Sequence, residues 1–177
     1  SDKEIYDAMM LGIEAFNCES LQEIFVINEM AHQHGVKANI SVRINPDIDA
    51  HTHKYVTTGL YENKFGISNH EFDKLIEFIQ KSEHINFFGL HFHIGSQITR
   101  VKEVFTLECQ RVNEIVRYFE NKGLTVSNIN LGGGLGVDYD DPDGSPIADF
   151  ETWFNAISDN IIRRKDQTVH VEPGRSM

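Results

Sequence analysis

The chain is poor in several things at once. Of its 177 residues two are cysteine, four proline and one tryptophan, and Lys plus Arg number 16 against 27 Asp plus Glu. Cys18 and Cys109 stand far apart with no C-x-x-C spacing, which argues against a disulfide framework and fits a reducing, cytoplasmic compartment. A formal net charge of -11 leaves no basic face, so nucleic acid and membrane surfaces are poor partners. No apolar run approaches the roughly 20 residues of a membrane span, and the charged opening SDKEIYD is no signal peptide. What survives is small-molecule chemistry on one globular domain, since 40% hydrophobic and 24% charged residues are ordinary for such a chain. An initiator methionine is lacking too, the chain opens inside a helical pattern, and it stops two residues after the Arg of a strand-end motif; both ends read as cut.

Glycine is concentrated in one place. Leu131-Gly132-Gly133-Gly134-Leu135-Gly136 follows a β-prone run at 126–131, and Glu172-Pro173-Gly174-Arg175 follows another at 168–171. A glycine run after a strand is either a plain tight connection or a cradle whose bare N–H groups approach a phosphate. Arg175 can add a bidentate charge to the same anion, while Glu172 can bond a ring nitrogen. A phosphorylated, nitrogen-containing cofactor would use both. The dinucleotide fingerprint is excluded, because the third glycine of G-x-G-x-x-G would fall on Val137 or Tyr139.

Periodicity predicts helices at 2–11, from Ser20 to Gly35 with Ser20 and Glu23 as a capping box, from Ser68 with Glu71 as another, at 101–121 and at 150–162. Strands are predicted at 13–18, 38–44, 85–94, 126–131 and 168–171, with one long connection at 46–67. Strands alternating with helices of this length are parallel. All five strand exits carry chemically capable groups: Asn17 and Glu19, Arg43 and Asn45, His93 and Ser96, Gly132 to Gly134, and Glu172 with Arg175. A closed barrel brings every such exit to one mouth, whereas an open doubly wound sheet uses one switch point. The expected fold is therefore α/β, a parallel (β/α)8 TIM-type barrel of which residues 1–177 hold about five strand–helix units as a single partial domain.

Bland and sharp alternatives stand side by side. His51 with His53 and His91 with His93 form two H-x-H pairs that can ligate a catalytic zinc, a metal-dependent barrel hydrolase that would leave the glycine run and Glu172-Pro173-Gly174-Arg175 unused. Asp138, Asp140, Asp141 and Asp143 read as a solvated turn more readily than as a calcium loop, Cys109 as core, and Lys64 alone as a solvated charge.

Taken in order, Phe16-Asn17-Cys18-Glu19-Ser20, Val42 to Asp47, His51-Thr52-His53, Thr58-Gly59-Leu60, Glu62 to Ile67, His91 to Gln97, the glycine run and Glu172-Pro173-Gly174-Arg175 resemble the diaminopimelate decarboxylases over the whole chain. These are pyridoxal-phosphate-dependent decarboxylases built on the alanine-racemase-like barrel. The His91 to Gln97, glycine and Glu172 to Arg175 stretches are shared with ornithine and arginine decarboxylases, the alternative substrate classes; the Thr58 to Ile67 loop points to diaminopimelate.

The resemblance implies pyridoxal 5'-phosphate as cofactor, with His93 stacked on its ring. Ser96 and Gly132, Gly133 and Gly134 hold its phosphate, Glu172 bonds the pyridine nitrogen, and Pro173, Gly174 and Arg175 complete the loop, Arg175 also meeting the substrate. Arg43 orders neighbouring strand-end carboxylates. A carboxylate at the ring nitrogen keeps it protonated, which suits an electron sink for decarboxylation. The implied reaction turns meso-2,6-diaminopimelate, a small amino-acid substrate, into L-lysine and CO2 in a homodimer, with no metal. It further implies that the chain is strands four to eight, that the Schiff-base lysine and a C-terminal β-domain lie outside it, and that alone it is inactive. Lys37-Ala38-Asn39 imitates the tripeptide of that lysine but precedes the Arg43 strand and is read as coincidence.

Overall fold

Residues 1–46, 65–141 and 148–177 are described in the computed structural model of the chain. Helix and strand alternate as the periodicity requires: α1 (Asp2–Met10), β1 (Phe16–Cys18), α2 (Leu21–Gln33), β2 (Ala38–Arg43), α3 (Phe72–Lys81), β3 (Ile85–His91), α4 (Val101–Asn121), β4 (Asn128–Asn130), α5 (Phe150–Asn160) and β5 (Thr168–His170). Several are shorter than expected, each for a local reason. Ile13 does not open a strand, because its amide is bonded to Ala8 O at 3.3 Å at the end of α1. Helix α5 stops at Asn160, where Asn113 of α4 donates to the Asn160 carbonyl at 2.8 Å and accepts from the Ile162 amide at 2.8 Å. Half of the Ser20 box forms, Ser20 Oγ accepting from the Glu23 amide at 3.2 Å, while the Glu23 carboxylate takes the amide of Glu19 instead. The Ser68–Glu71 box is complete and caps a 3-10 turn, Asn69–Glu71, that leads into α3. The calls on Asp47 to Lys64, including His51, His53 and Lys64, and on Asp143 lie outside the described residues.

The five strands are all parallel and lie in the order β1-β2-β3-β4-β5. A doubly wound sheet reverses its order at a switch point; unbroken sequential order is that of a barrel wall. Partners across a parallel ladder share a face. One row runs Cys18, Val42, Leu90, Ile129, Val169, and its first four members are fully buried beneath the helices. The next row runs Arg43, His91, Asn130, His170, and below it lie Asn17, Ser41, Gly89, Asn128 and Thr168. Parallel strands covered on both faces are apolar throughout. These alternate, because their second face lines a polar interior with a recess of about 150 Å³ among Asn17, Ser41, Phe88, Asn128, Asn130 and His170.

On the outer face, Ile24 and Ile27 of α2, Leu75 and Ile79 of α3, Phe105, Val112 and Phe119 of α4, and Trp153 and Ile157 of α5 close over the apolar row. The Phe105 and Trp153 rings meet at 5.7 Å, joining α4 to α5. Cys18 and Cys109 are free and buried, and burial pushes the Cys109 thiol up to about 12 and that of Cys18 further, so neither is a reactive thiolate. Among the described residues no helix is long and apolar enough to cross a membrane. The periodicity of α4 concealed one exception: Glu108 is fully buried on the core side, and neither carboxylate oxygen has a hydrogen-bond partner among the described residues. Burial therefore holds its pKa well above the ordinary 4.5.

Beyond the strands the connecting loops continue the ladder. Ile98, after β3, donates to Gly134 O at 2.8 Å and accepts from the Gly136 amide at 3.0 Å. Gln97, held at a left-handed φ of 59°, reaches the same loop, its side-chain amide donating to Val137 O and accepting from the Val137 amide. Glu172 donates its amide to Gly132 O at 2.6 Å. So close are these loops that a Cβ on Gly133 would lie 2.0 Å from Glu172 O, whereas one on Gly174 would meet nothing within 4 Å.

Two outcomes follow for stability. Gly133→Ala is expected to lower stability by about 1–3 kcal/mol through forced displacement of the Glu172 backbone, and Gly174→Ala to stay within about 0.5 kcal/mol of the parent; paired denaturant melts measure both. For Glu108 the folded state keeps a proton that the unfolded state releases above the ordinary 4.5, so this group's contribution falls as pH rises from there. Glu108→Gln should raise the melting temperature near pH 7, with a gain that shrinks as pH is lowered toward 4.5; equal melting temperatures across that window would remove the account.

Candidate active site

Four strand ends and their loops build the site. At the end of β2, Arg43 projects from the polar row, mostly buried, and its Nη1 donates to Glu19 Oε1 beyond β1 at 2.6 Å. The carboxylate is about half exposed, and an ion pair in such a setting contributes at most about 1 kcal/mol. Its consequence is geometric, fixing one exit against the next. The guanidinium also lies 5.4 Å from the centre of the Phe65 ring.

One register position along from Arg43 are His91 and then Asn130, and the exit of β5 brings Glu172 above them. Asn130 uses both ends of its amide: Nδ2 donates to Glu172 Oε1 at 2.8 Å, and Oδ1 accepts from the Gly132 amide at 2.8 Å. His91 Nε2 lies 3.3 Å from Glu172 Oε2. Glu172 thus has a chain donor at each oxygen while its side chain remains 48% exposed. A carboxylate offers about four lone-pair positions, so two stay available to a ligand in the mouth. Burial holds the His91 imidazole below its ordinary range; Glu172 opposes this, and Arg43 and His93 reinforce it.

The glycine loop lies against this cluster. Gly132 and Gly133 are buried, Gly134 is half-buried, and no acceptor among the described residues pairs with the amide of Gly133 or Gly134. His93, half-buried one residue past the last ladder bond of β3, sits so near the loop that a Cβ on Gly132 would be 3.0 Å from its Nδ1. Ser96 is half-buried in the same connection, two residues before the Ile98 pairing. Pro173 and Gly174 continue from Glu172, and Arg175 Nη1 donates to Tyr139 Oη at 2.9 Å, joining the β5 exit to the segment after the glycines. Of the acidic run, read in the sequence as a solvated turn, the described part is exposed and Asp138 Oδ1 accepts from the amides of Asp140 and Asp141.

His93, Gly132 to Gly134, Glu172 and Arg43 are therefore gathered at one edge of the sheet, with Ser96 and Arg175 on loops at the same end. Four participants were given no role at the cofactor in the sequence: His91, weighed there only as a zinc ligand, Gln97, present only within the His91 to Gln97 stretch, and Asn130 and Tyr139. His91 and Asn130 carried a signal, since Asn128 and Asn130 alternate, and His91 shares a strand face with Gly89; only the cross-strand register turns that alternation into one polar row. Gln97 and Tyr139 act through loop contacts that no local pattern encodes. As for the two H-x-H pairs, His91 is engaged by Glu172 and, among the described residues, no group of three or more His, Cys, Asp or Glu is arranged to hold a metal ion.

Comparison with known proteins matches this geometry to one family. The model describing the pyridoxal-dependent decarboxylase, pyridoxal binding domain, matches residues 1–177. Diaminopimelate decarboxylase of Bacteroides thetaiotaomicron is 44% identical over all of this chain, which covers 46% of that protein. Among solved structures, diaminopimelate decarboxylase of Helicobacter pylori complexed with L-lysine superposes with a TM-score of 0.79 at 37% identity, over 99% of this chain and 43% of that one. The enzyme of M. jannaschii in co-complex with L-lysine gives 0.80 at 32% identity, over 99% and 41%. The chain spans less than half the length of these relatives. With a parallel barrel wall, a glycine loop at its mouth and a match to the pyridoxal binding domain that runs from first residue to last, the chain belongs to the pyridoxal-dependent decarboxylases.

Proposed function

We propose that the protein carrying this chain is a carboxy-lyase that converts meso-2,6-diaminopimelate to L-lysine and CO2 with pyridoxal phosphate, and that residues 1–177 supply strands four to eight of its barrel. The remaining strands, with the Schiff-base lysine, and a β-domain fall in the part of the relatives' length that this chain does not span. The observation that carries the proposal is Glu172: a half-exposed carboxylate with a donor from the chain at each oxygen, set beside a glycine loop that admits no side chain. Identity of 44% to a diaminopimelate decarboxylase over the whole chain supports the substrate class. The two buried, unpaired cysteines fit a reducing, cytoplasmic compartment and the net charge of -11 fits a small-molecule substrate; the homodimer rests on the family resemblance alone.

The residues fit a phosphorylated pyridine. The amides of Gly133 and Gly134 have no acceptor among the described residues, and with Ser96 and Arg175 nearby they form a donor set for a phosphate. The flat ring of His93 lies beside them and offers a face for stacking. Glu172 retains lone pairs to accept from a protonated ring nitrogen and, as an anion, stabilises that proton. Pyridoxal phosphate, when bound, supplies an electron sink for the pair left behind as CO2 departs. In the net reaction the bond from the D-configured carbon to its carboxylate breaks, CO2 leaves, and a proton takes its place on that carbon. Arg43 pairs with Glu19 and so offsets the charge of a second carboxylate at the same end of the sheet.

The test uses the complete polypeptide: CO2 release is followed from meso-diaminopimelate beside ornithine and arginine, and borohydride reduction in the presence of pyridoxal phosphate locates the modified lysine. Release from diaminopimelate alone, with one labelled lysine outside residues 1–177, is the expected result; release from ornithine at a comparable rate would overturn the substrate assignment. Glu172→Gln should cost on the order of 100-fold or more in kcat while the cofactor stays bound.

A further inference from the structure

Glu172 does not hold itself. It sits in the loop after a three-residue strand, and its side chain is about half exposed, so nothing in its own backbone fixes where the carboxylate points. Its two oxygens are met by side chains from two other strands, Asn130 at Oε1 and His91 at Oε2. These donors differ. Asn130 is partly committed elsewhere, because its Oδ1 accepts from Gly132. His91 is 7% exposed at the end of β3, and Nδ1, its other ring nitrogen, has no hydrogen-bond partner among the described residues. With one nitrogen facing a carboxylate and the other facing no polar partner, the proton of the neutral ring belongs on Nε2, where Glu172 accepts it. Burial favours that neutral ring.

We propose that His91 is a positioning residue for the ring nitrogen of the cofactor: as a neutral Nε2–H donor it fixes Glu172 Oε2 and turns the free lone pairs of the carboxylate toward the mouth. The inference rests on the assignment of Glu172 to that nitrogen. His91 touches neither cofactor nor substrate in this role. It acts on the protonation of the ring through Glu172, as an outer carboxylate or carbonyl acts through a metal-bound histidine. A buried imidazole with one unpartnered nitrogen costs stability, which the close-packed core has to offset; a group kept at such a cost at the edge of a site is a candidate for function before it is one for packing.

Chain length discriminates the roles. Gln places its Nε2 about where the imidazole Nε2 lies, while Asn reaches only to the position of Nδ1 and cannot touch Glu172. The complete enzyme is loaded with pyridoxal phosphate labelled with 15N in the ring, and the 15N chemical shift reports protonation of that nitrogen independently of turnover. His91→Asn should move the signal toward the unprotonated value and lower kcat about 10- to 100-fold, with KM little changed. His91→Gln should restore most of both. A His91→Asn enzyme with the parental 15N signal, or a His91→Gln enzyme as impaired as His91→Asn, would overturn the proposal. Glu172→Gln, measured in parallel, separates the two levels: an unchanged signal there refutes the assignment of Glu172 and the inference with it. A shifted signal in Glu172→Gln beside an unchanged one in His91→Asn refutes the role of His91 alone.

Discussion

Parallel pairing in unbroken sequential order is the constraint on which the site depends. Because every strand runs the same way and each pairs with the next in sequence, all five C-terminal ends reach one edge of the sheet. The same register sorts residues by parity. Cys18, Val42, Leu90 and Ile129 fall into one buried row, while Arg43, His91, Asn130 and His170 fall into another facing the interior. A slip of one residue in any strand would exchange the two rows and place an arginine or a histidine under the helices. Core and site are thus specified by one alignment.

Close approach of the loops completes what the ladder begins. Gly132 and Gly133 permit the β4 exit to lie against the Phe92 carbonyl on one side and the Glu172 carbonyl on the other, at distances that exclude any Cβ. Asn130 then bonds both the glycine loop and Glu172, so the loop and the carboxylate are mechanically one unit. Gln97 adds a second clasp, accepting a left-handed backbone in exchange for two bonds to Val137. None of these contacts is large as a stabilising contribution. Their shared effect is precision, which the proposed site, a phosphate cradle and a carboxylate at fixed separation, requires.

Polar groups are buried on both faces, with different consequences. His91 faces the mouth and has a partner in Glu172; Glu108 is buried on α4 with no partner among the described residues. The first is tied to the chemistry proposed for the site. The second makes stability depend on pH, because its proton is retained only while the core is intact.

The strand–helix alternation, the barrel class, the glycine loop, His93, Arg43 and Glu172 were legible in the sequence, because each rests on a local signal: a period of 3.6 or 2, a capping pair, a glycine run, a polar residue where an apolar strand ends. Element lengths were less so: β1 starts late because Ile13 bonds back to Ala8 at the end of α1, and the end of α5 is set by Asn113, which no window around that end contains. The pairing of Arg43 with Glu19 was expected in kind, but its partner was chosen by the β1–β2 register. His91, Asn130 and Gln97 emerged only from the tertiary structure. Their partners lie 81, 42 and 40 residues away in the chain. The sequence by itself determined which elements form and which of their residues are polar; the folded sheet alone decided which polar residues meet, because hydrogen bonds are directional and register, unlike propensity, is a property of two strands at once.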